Sequence, residues 1–370
     1  MSKAAELAAL IANVNNGSSL AAKNFIINGN MSVWQRATAA TAAGNGQYNT
    51  VDRWMTWLNG GGAYNAEQST GHLSDTGHEN ALKLSVTTAD TSIAGGDYYS
   101  FVQFIEGKNA QSLQYGTSDA KPVTLSFWVR ATKTGTNTIV FQKDDSTTYR
   151  MIKEYTINSS NTWEYKTITI EPDSNIKAGG GAIDNDTGRG IQITWILKYG
   201  SNYEGTADTW ITAGNYTTTN QVNHMDSTSN TFYITGVQLE IGEKATEFEH
   251  EPYEATLRKC QRYYLKRQAG STYSYWGSGH NSGATSAKLH QNFPVEMNHI
   301  PVLETTAANT FYAYSIDTVD LSDVPTINNP SVWGSAVTFP TGSGTLTAGR
   351  GANAIARDST SAYLAFESEL

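Results

Sequence analysis

The sequence predicts an all-β protein: an antiparallel jelly-roll β-sandwich, a smaller C-terminal β-sandwich and a short N-terminal helix. Three observations lead there. Residues 24–250 contain no helical pattern of useful length but about ten strand-like segments. The 33 glycines and abundant small polar residues suit tight turns, and 9 Trp and 20 Tyr supply large side chains for a core. At this length a jelly roll is the commonest arrangement of such strands.

Residues 1–23 begin with the strongest helical pattern of the first half. Leu7, Leu10, Ile11 and Val14 recur at i, i+3, i+4 and i+7, which makes one apolar stripe on an Ala-rich segment. A helix of about three turns is marginal alone. We therefore expect this segment to act in attachment or oligomerisation, with packing against its own domain left open.

Residues 24–252 are predicted to form the jelly roll. Asn28-Gly29 between apolar residues indicates a hairpin within residues 24–36. Further strands are predicted at 81–86, 98–106, 122–130, 138–142, 149–157, 164–170, 190–199, 209–211 and 232–241.

The last of these strands changes face part-way along. Val237, Leu239 and Ile241 alternate with polar residues, as in a half-buried strand. Phe232 is at an even-numbered position, whereas Val237, Leu239 and Ile241 are at odd-numbered ones, so a regular strand would place Phe232 on the opposite face. We therefore predict a bulge or a close backbone approach at Gly236, where the inward face changes.

A crowd of glutamates around Pro252 marks a hinge. Residues 253–267 are predicted to be a helical linker, and residues 268–370 a second β-sandwich. Its strands are predicted at 286–293, 301–306, 311–316, 335–339 and 362–367, with an exposed Gly-rich loop over residues 271–283.

Charge and composition exclude several classes. A net charge of −9, without a Lys/Arg cluster, argues against a nucleic-acid partner. No run of 18 apolar residues occurs, so no membrane insertion is expected. The single cysteine, Cys260, cannot form an intramolecular disulfide. Glu6 interrupts the first apolar stretch, which is unlike a secretory signal.

Four segments, in this order, resemble a module of tailed-bacteriophage virion proteins, chiefly tail fibres and tail-associated adhesins. They are NFIINGNMSVWQR, VDRW, ITGVQLEIGEKATEFEHEP and LRKCQRYY. Such modules are similar in fold to carbohydrate-binding jelly rolls. The resemblance implies a virion component made in the host cytoplasm, a homotrimer with other virion proteins as partners, and a tail fibre or adhesin that binds host surface polysaccharide. A capsid-decoration or tail-adaptor protein is the alternative, and a polysaccharide depolymerase the second.

No catalytic motif supports an enzyme. GxSxG, HExxH and Walker-type loops are missing from the sequence, and Cys260 has no histidine near it in sequence. A depolymerase needs two acids that face each other across a groove. Asp144 and Asp145, Asp184 and Asp186, or the glutamates of residues 243–254 could supply them, but adjacent acids on a turn are usually solvated and the glutamates bracket the hinge. We predict a protein without catalytic residues.

Metal binding is predicted only as a structural option, and no cofactor is required. His72 and His78 are separated by five residues, a spacing that suits neither a helical nor a strand pair of zinc ligands. Asp184 and Asp186 precede Gly188 like the start of a calcium loop, although the distal Glu of an EF-hand is missing. An Asx turn explains the same residues, so a structural calcium stays open beside it.

Aromatic residues are the best lead for ligand binding, because the apolar C–H faces of sugars stack on exposed rings. Adjacent strand residues face opposite sides, so only one of Tyr98 and Tyr99 can point inward. The candidates are Trp57, Tyr64, Tyr98, Tyr99, Trp163, Trp210, Tyr275 and Trp276, with Tyr273 in the same Gly-rich segment.

Overall fold

The structure is a computed structural model that describes residues 23–40, 43–73, 76–314, 318–341, 346–357 and 359–370. The predicted attachment helix, with Leu7, Leu10, Ile11 and Val14, lies outside the described residues. The chain divides into two compact units, Met1–Tyr253 and Glu254–Leu370. Both are built of antiparallel sheets, so the predicted all-β fold class is confirmed.

The first unit contains two six-stranded sheets. The first sheet comprises β1 (Ala39–Ala40), β3 (Ala63–Leu73), β4 (His78–Thr88), β6 (Val123–Ala131), β9 (Glu164–Ile170) and β12 (Thr231–Ile241), in the order β1-β3-β4-β12-β6-β9. The second comprises β2 (Met55–Asn59), β5 (Tyr98–Glu106), β7 (Gly135–Lys143), β8 (Tyr149–Ile157), β10 (Arg189–Tyr199) and β11 (Trp210–Ile211), in the order β11-β8-β7-β10-β5-β2. Short 3₁₀ helices occur at Gly107–Leu113, Gly179–Gly181 and Ser201–Tyr203.

The core of the first unit lies between the two sheets. Along β6, Leu125, Phe127 and Val129 are buried in it, and along β10 Ile193 and Trp195 are. Alternate residues of the same strands therefore face outward, as the two-residue period of a strand requires. This alternation decides which face of a sheet the strand residues Trp57, Tyr98 and Arg130 occupy.

The predicted bulge in β12 is confirmed. Pairing with β6 shifts register between Thr235 and Gln238, and Gly236 has φ of 59°. A Cβ at Gly236 would lie 2.4 Å from Nε2 of His78, so the backbone approach also requires glycine. Because of the bulge, both Ile234 and Val237 reach the core despite their opposite parity.

Residues 24–36 do not form the predicted hairpin. They make a turn in which Asn28 has φ of 61° and its side-chain amide donates to the carbonyls of Val33 and Asp52. Backbone N–H groups of Ser32 and Val33 donate back to Asn28 Oδ1. The asparagine side chain thus replaces the ladder that a hairpin would have.

All nine strands predicted between residues 81 and 241 are present, with ends displaced by at most three residues. The sequence analysis did not predict β3, because the C-terminal half of this strand is mostly polar and carries Gly71. The glutamate-rich segment after β12 folds back on the start of the described chain. There Glu249 Oε2 accepts the N–H groups of Lys23 (3.0 Å) and Asn24 (2.9 Å).

The second unit is a smaller sandwich of a three-stranded and a seven-stranded sheet. It contains α1 (Tyr253–Gln261), which starts at the unit boundary, and a 3₁₀ helix at Ala308–Thr310. The smaller sheet is β13 (Tyr264–Gln268), β22 (Tyr363–Glu367) and β16 (Val302–Thr305); the larger is β18 (Thr318–Asp320), β17 (Phe311–Tyr314), β21 (Gly351–Ala356), β14 (Tyr275–Gly283), β15 (Ser286–Asn292), β20 (Gly334–Pro340) and β19 (Thr326–Asn328), each given in sheet order.

Two expectations for this unit need correction. The predicted helical linker ends at Gln261, and Tyr264–Gln268 is a strand because Tyr264 and Leu265 are buried against the sandwich. The predicted exposed loop is the strand β14, between β21 and β15. Its glycines allow close pairing, since a Cβ at Gly279 would lie 1.8 Å from the carbonyl oxygen of Lys288.

Among the described residues, no helix has both the length and the hydropathy that a bilayer crossing requires.

Candidate functional site

Five aromatic rings gather on the outer face of the second sheet. We call them the aromatic platform: Trp57 of β2, Tyr98 of β5, Tyr199 at the end of β10, and Tyr203 and Tyr216 from the segment that follows. The neighbours in sequence, Leu58 and Tyr99, pack toward the core instead. Strand alternation therefore turns Trp57 and Tyr98 away from the core.

The platform rings contact one another edge to face or at a tilt. Trp57 lies 6.1 Å from Tyr98 and 6.4 Å from Tyr216, measured between ring centroids. Tyr203 lies 6.0 Å from Tyr98, 5.3 Å from Tyr199 and 6.3 Å from Tyr216. These are the spacings that aromatic pairs prefer. Four rings are half-buried, and only Tyr199 is fully buried, at the base of the group.

Tyr199 fixes the base of the platform. Its hydroxyl lies 2.9 Å from Oγ of Ser100, in a buried hydrogen bond. Burial raises the pKa of the Tyr199 hydroxyl far above its usual value, so the residue stays protonated and neutral. The base is therefore a rigid, uncharged surface.

Polar groups border the rings. Asn45 Nδ2 donates to the Tyr98 hydroxyl at 3.3 Å, and the Tyr216 hydroxyl donates to Gln142 Oε1 at 3.2 Å. The guanidinium of Arg150 lies 5.0 Å above the Tyr216 ring and donates to the carbonyl of Ala213 at 3.0 Å. Rings bordered by amides and one guanidinium can take an apolar ligand face and satisfy hydroxyls at its edge.

Two loops hold this border in place. The segment from residue 43 to 47 is tied to the edge strand β2, because Gly46 N and Gln47 N both donate to the carbonyl of Thr56. On the other side, Tyr216 N donates to the Tyr203 carbonyl at 2.8 Å, and Asn215 Nδ2 to that of Glu204. These bonds hold the backbone at Tyr203 and Tyr216, from which the two rings project.

Of the predicted ring residues, the structure brings Trp57 and Tyr98 together at the platform. Trp163 lies on the outer face of the first sheet, and Tyr275 is 68% exposed in the second unit. Tyr273, in the same stretch, is also exposed.

The other four rings are buried, where no sugar reaches them. The Tyr64 hydroxyl donates to the carbonyl of Ser100, and the Tyr99 hydroxyl donates to Asp90 Oδ2 at 2.6 Å. The indole N–H of Trp210 donates to the carbonyl of Glu171, and Trp276 packs against Phe311. Their size favoured burial in the two cores.

Sequence reasoning missed Tyr199, Tyr203 and Tyr216. Tyr199 follows a register shift in β10, which reverses the face that alternation assigns to it. The other two belong to the connection after β10, where no strand period gives a direction. The one available signal in the sequence was the high density of aromatic residues in the stretch from Tyr199 to Tyr216.

Asp184 and Asp186 are exposed, and Asp186 Oδ1 accepts the N–H of Gly188 at 2.8 Å, as in an Asx turn. Beside them, the buried ammonium of Lys143 donates to the carbonyls of Asp145 (2.7 Å), Thr147 (3.0 Å) and Gly180 (2.9 Å). In the described part of the chain, no cluster of three or more His, Cys, Asp or Glu suits a metal. Calcium stays a prediction.

The other candidate groups have structural contacts. His78 packs on His250 and Phe248, and burial lowers its pKa to about 4. Burial also raises the pKa of Asp144 and of Asp145; Asp144 accepts from Gln142 Nε2. Cys260 is buried.

Comparison with known proteins gives distant likenesses. No protein-family model matches the chain, and no curated protein matches it. Similar solved structures include the enzymatically active domain of tailspike protein 4 of bacteriophage CBA120, with 12% identity over 59% of this chain and 21% of that chain and a TM-score of 0.32. This chain therefore spans about a fifth of that tailspike domain's length.

Two others are covered over their whole length or nearly so. A putative sugar binding protein of Bacteroides thetaiotaomicron has 11% identity over 60% of this chain and 100% of its own, with a TM-score of 0.34. A family 11 carbohydrate-binding module of Clostridium thermocellum, in complex with a β-1,3-1,4-mixed-linked tetrasaccharide, has 12% identity over 58% and 99%, with a TM-score of 0.28. Likenesses this distant do not transfer a function.

Proposed function

We propose that this protein is a glycan-binding adhesin or tail fibre of a tailed-phage particle, and that the aromatic platform is its glycan site. The observation that carries the proposal is the grouping of Trp57, Tyr98, Tyr203 and Tyr216 as half-exposed rings over one buried tyrosine. Rings that serve only the fold are expected to bury their faces, as Trp195 and Phe101 do.

The chemistry of the platform fits a sugar. Ring faces take the apolar C–H surface of a pyranose, while hydroxyls on its edge exchange hydrogen bonds with amides and guanidinium. Asn45, Gln142 and Arg150 supply such groups at the border. None of these residues has to gain or lose a proton to hold a sugar, which is what we expect of a site that binds its ligand without catalysing a reaction.

The place of the protein in a virion rests on the four segments that resemble phage tail proteins. From that resemblance we infer a homotrimer that contacts other virion proteins and is made in the host cytoplasm. The protein is proposed to bind polysaccharide and to have no catalytic role.

The platform is tested by Trp57→Ala and Tyr216→Ala in the full chain, with Tyr275→Ala as a matched control. Tyr275 is an exposed aromatic in the second unit. Binding to an array of bacterial surface polysaccharides, followed by calorimetry, is expected to show about a five- to thirtyfold loss of affinity for each platform variant, because each removes a stacking face worth about 1–2 kcal/mol. The control should bind as wild type.

Two outcomes would contradict the proposal: no polysaccharide binds the wild-type chain, or both platform variants keep full affinity. A purely structural protein would instead show weaker assembly in these variants.

The subunit number is tested by the solution mass of the full chain and of a form without residues 1–23. We expect three times the 40.1 kDa chain mass for the full-length protein. A trimer that persists without residues 1–23 leaves this segment free for attachment, whereas monomers would make it the trimerisation device.

A further inference from the structure

A second aromatic group, which we call the arginine stack, lies on the outer face of the first sheet. The guanidinium of Arg130 lies 4.0 Å from the centroid of the Tyr233 ring and 5.3 Å from that of Trp163. The two rings are 6.1 Å apart, edge to face. The arginine is thus held between two aromatic side chains.

Strand register explains this arrangement. Phe127 and Val129 point into the core, so Arg130 between the core residues of β6 points outward. Arg130 pairs with Tyr233 in β12, and Val129 pairs with Glu164 at the start of β9. Trp163, one residue earlier, therefore falls beside Arg130 on its other side.

A second row extends the surface. Trp128 pairs with Tyr165 across β6 and β9, and their rings are 5.2 Å apart. Tyr165 is 43% exposed, and Trp128 is half-buried. Together with the arginine stack, these rings form an aromatic surface with one cation at its centre.

The lysines near this aromatic surface have acidic partners, whereas the Arg130 side chain has none among the described residues. Lys83 forms an ion pair with Glu67 at 2.9 Å, and Lys133 forms one with Asp226. The side chain of Arg130 makes no hydrogen bond or ion pair with any described residue, and its Nε is buried without an acceptor. A guanidinium that stacking has oriented, and that lacks an acidic partner, is ready to bind an anion through paired N–H groups.

We propose that the arginine stack, with Trp128 and Tyr165, is a second ligand site, which takes an acidic glycan. The planar guanidinium binds a carboxylate or sulfate ester on the sugar, and the neighbouring rings stack on its C–H faces. The site is independent of the aromatic platform, because its strands belong to the other sheet. Charge complementarity carries the choice of ligand, since the stack offers an unneutralised cation between apolar faces.

The test is affinity electrophoresis of the full chain in gels that contain polygalacturonate (carboxylated), carrageenan (sulfated) or dextran (neutral). Wild type is expected to be retarded by at least one acidic polymer, and which one identifies the anion. Arg130→Met should weaken that retardation by roughly ten- to hundredfold, because a charge-assisted hydrogen-bond pair is lost. Arg130→Lys keeps the charge without the planar fork, so we expect at least a threefold loss.

Tyr275→Ala, which removes an exposed ring of the second unit outside both aromatic groups, is the matched control, and its retardation by the acidic polymer should equal that of wild type. Thermal unfolding shows whether Arg130→Met is folded. If that variant is unfolded, Arg130→Lys alone tests the proposal. The proposal is overturned if no acidic polymer retards wild type, if Arg130→Lys binds as wild type does, or if Tyr275→Ala abolishes the retardation. A changed oligomeric mass in the Arg130 variants would also overturn it, because the face would then be a contact between copies of the chain.

Discussion

The interior of the first unit and its aromatic platform use the same residue types on the same two strands, with opposite results. Phe101 of β5 and Trp195 of β10 face inward and stack at 5.5 Å, both fully buried. Tyr98 and Tyr199, on the same strands, face outward into the platform. A change of one position, or one bulge, separates a ring that stabilises the fold from a ring that can hold a ligand.

The two groups also differ in how they satisfy polar atoms. The indole N–H of Trp195 is buried without an acceptor, whereas the hydroxyls of Tyr98, Tyr199 and Tyr216 each form a hydrogen bond. In the interior, burial of area outweighs one unmade hydrogen bond. At the platform, orientation is fixed by hydrogen bonds, and ring area remains for a ligand.

The largest expected effect is at the interior stack. Trp195→Ala should lower the free energy of unfolding by about 3–5 kcal/mol, because it leaves a cavity between Trp54, Phe101 and Phe127. Trp195→Phe should cost clearly less, since it keeps a ring and removes the unpaired N–H. Denaturant unfolding measures both, and equal losses would contradict the cavity explanation.

A buried histidine gives the interior a pH dependence. Burial lowers the pKa of His224 to about 4, with Lys133 lowering it further and Asp226 opposing. Below the unfolded value of 6.5, the unfolded chain binds the proton more tightly, so stability falls as the pH drops from 6.5 to 4. Protonation linked to His224 accounts for a loss of about 3 kcal/mol in the free energy of unfolding over this pH range.

Unfolding free energies of wild type and His224→Asn over that pH range test this. The variant should have a shallower slope, with the part due to His78, whose pKa is also lowered to about 4, unchanged. Parallel slopes would show that His224 is not neutral in the folded chain.

Tyr99 tests the interior neighbour of the platform. Tyr99→Phe removes the hydroxyl that donates to Asp90 and accepts the N–H of Gly62 at 2.8 Å. The expected loss of unfolding free energy is about 1–3 kcal/mol, because a buried donor and acceptor lose their partner. Glycan affinity should not change. A loss of affinity with unchanged stability would show that Tyr99 acts in glycan binding rather than in the interior of the fold.

The smallest effect on stability is expected at the platform itself. Trp57→Ala should cost about 1 kcal/mol or less in denaturant unfolding, because its ring is half-exposed. A loss as large as that of Trp195→Ala would make the platform a structural cluster.

Strand positions in the first unit followed from the sequence because alternation there is strong. β5, β8 and β9 have the predicted bounds. The second unit was harder: β14 carries Gly277 and Gly279 inside a polar run, which resembles a loop until its neighbours are known. Strand pairing, rather than propensity, makes that segment a strand.

The sequence by itself determined the all-β class, most strands of the first sandwich and the bulge at Gly236, because each depends on residues close together in the chain. It also determined that only one of Tyr98 and Tyr99 could point inward, without deciding which. The tertiary structure alone decided that Trp57, Tyr98, Tyr203 and Tyr216 share one surface, and that Arg130 lies between Tyr233 and Trp163. Such groupings depend on strand order and loop paths between residues far apart in the chain, and a local period carries no information about either.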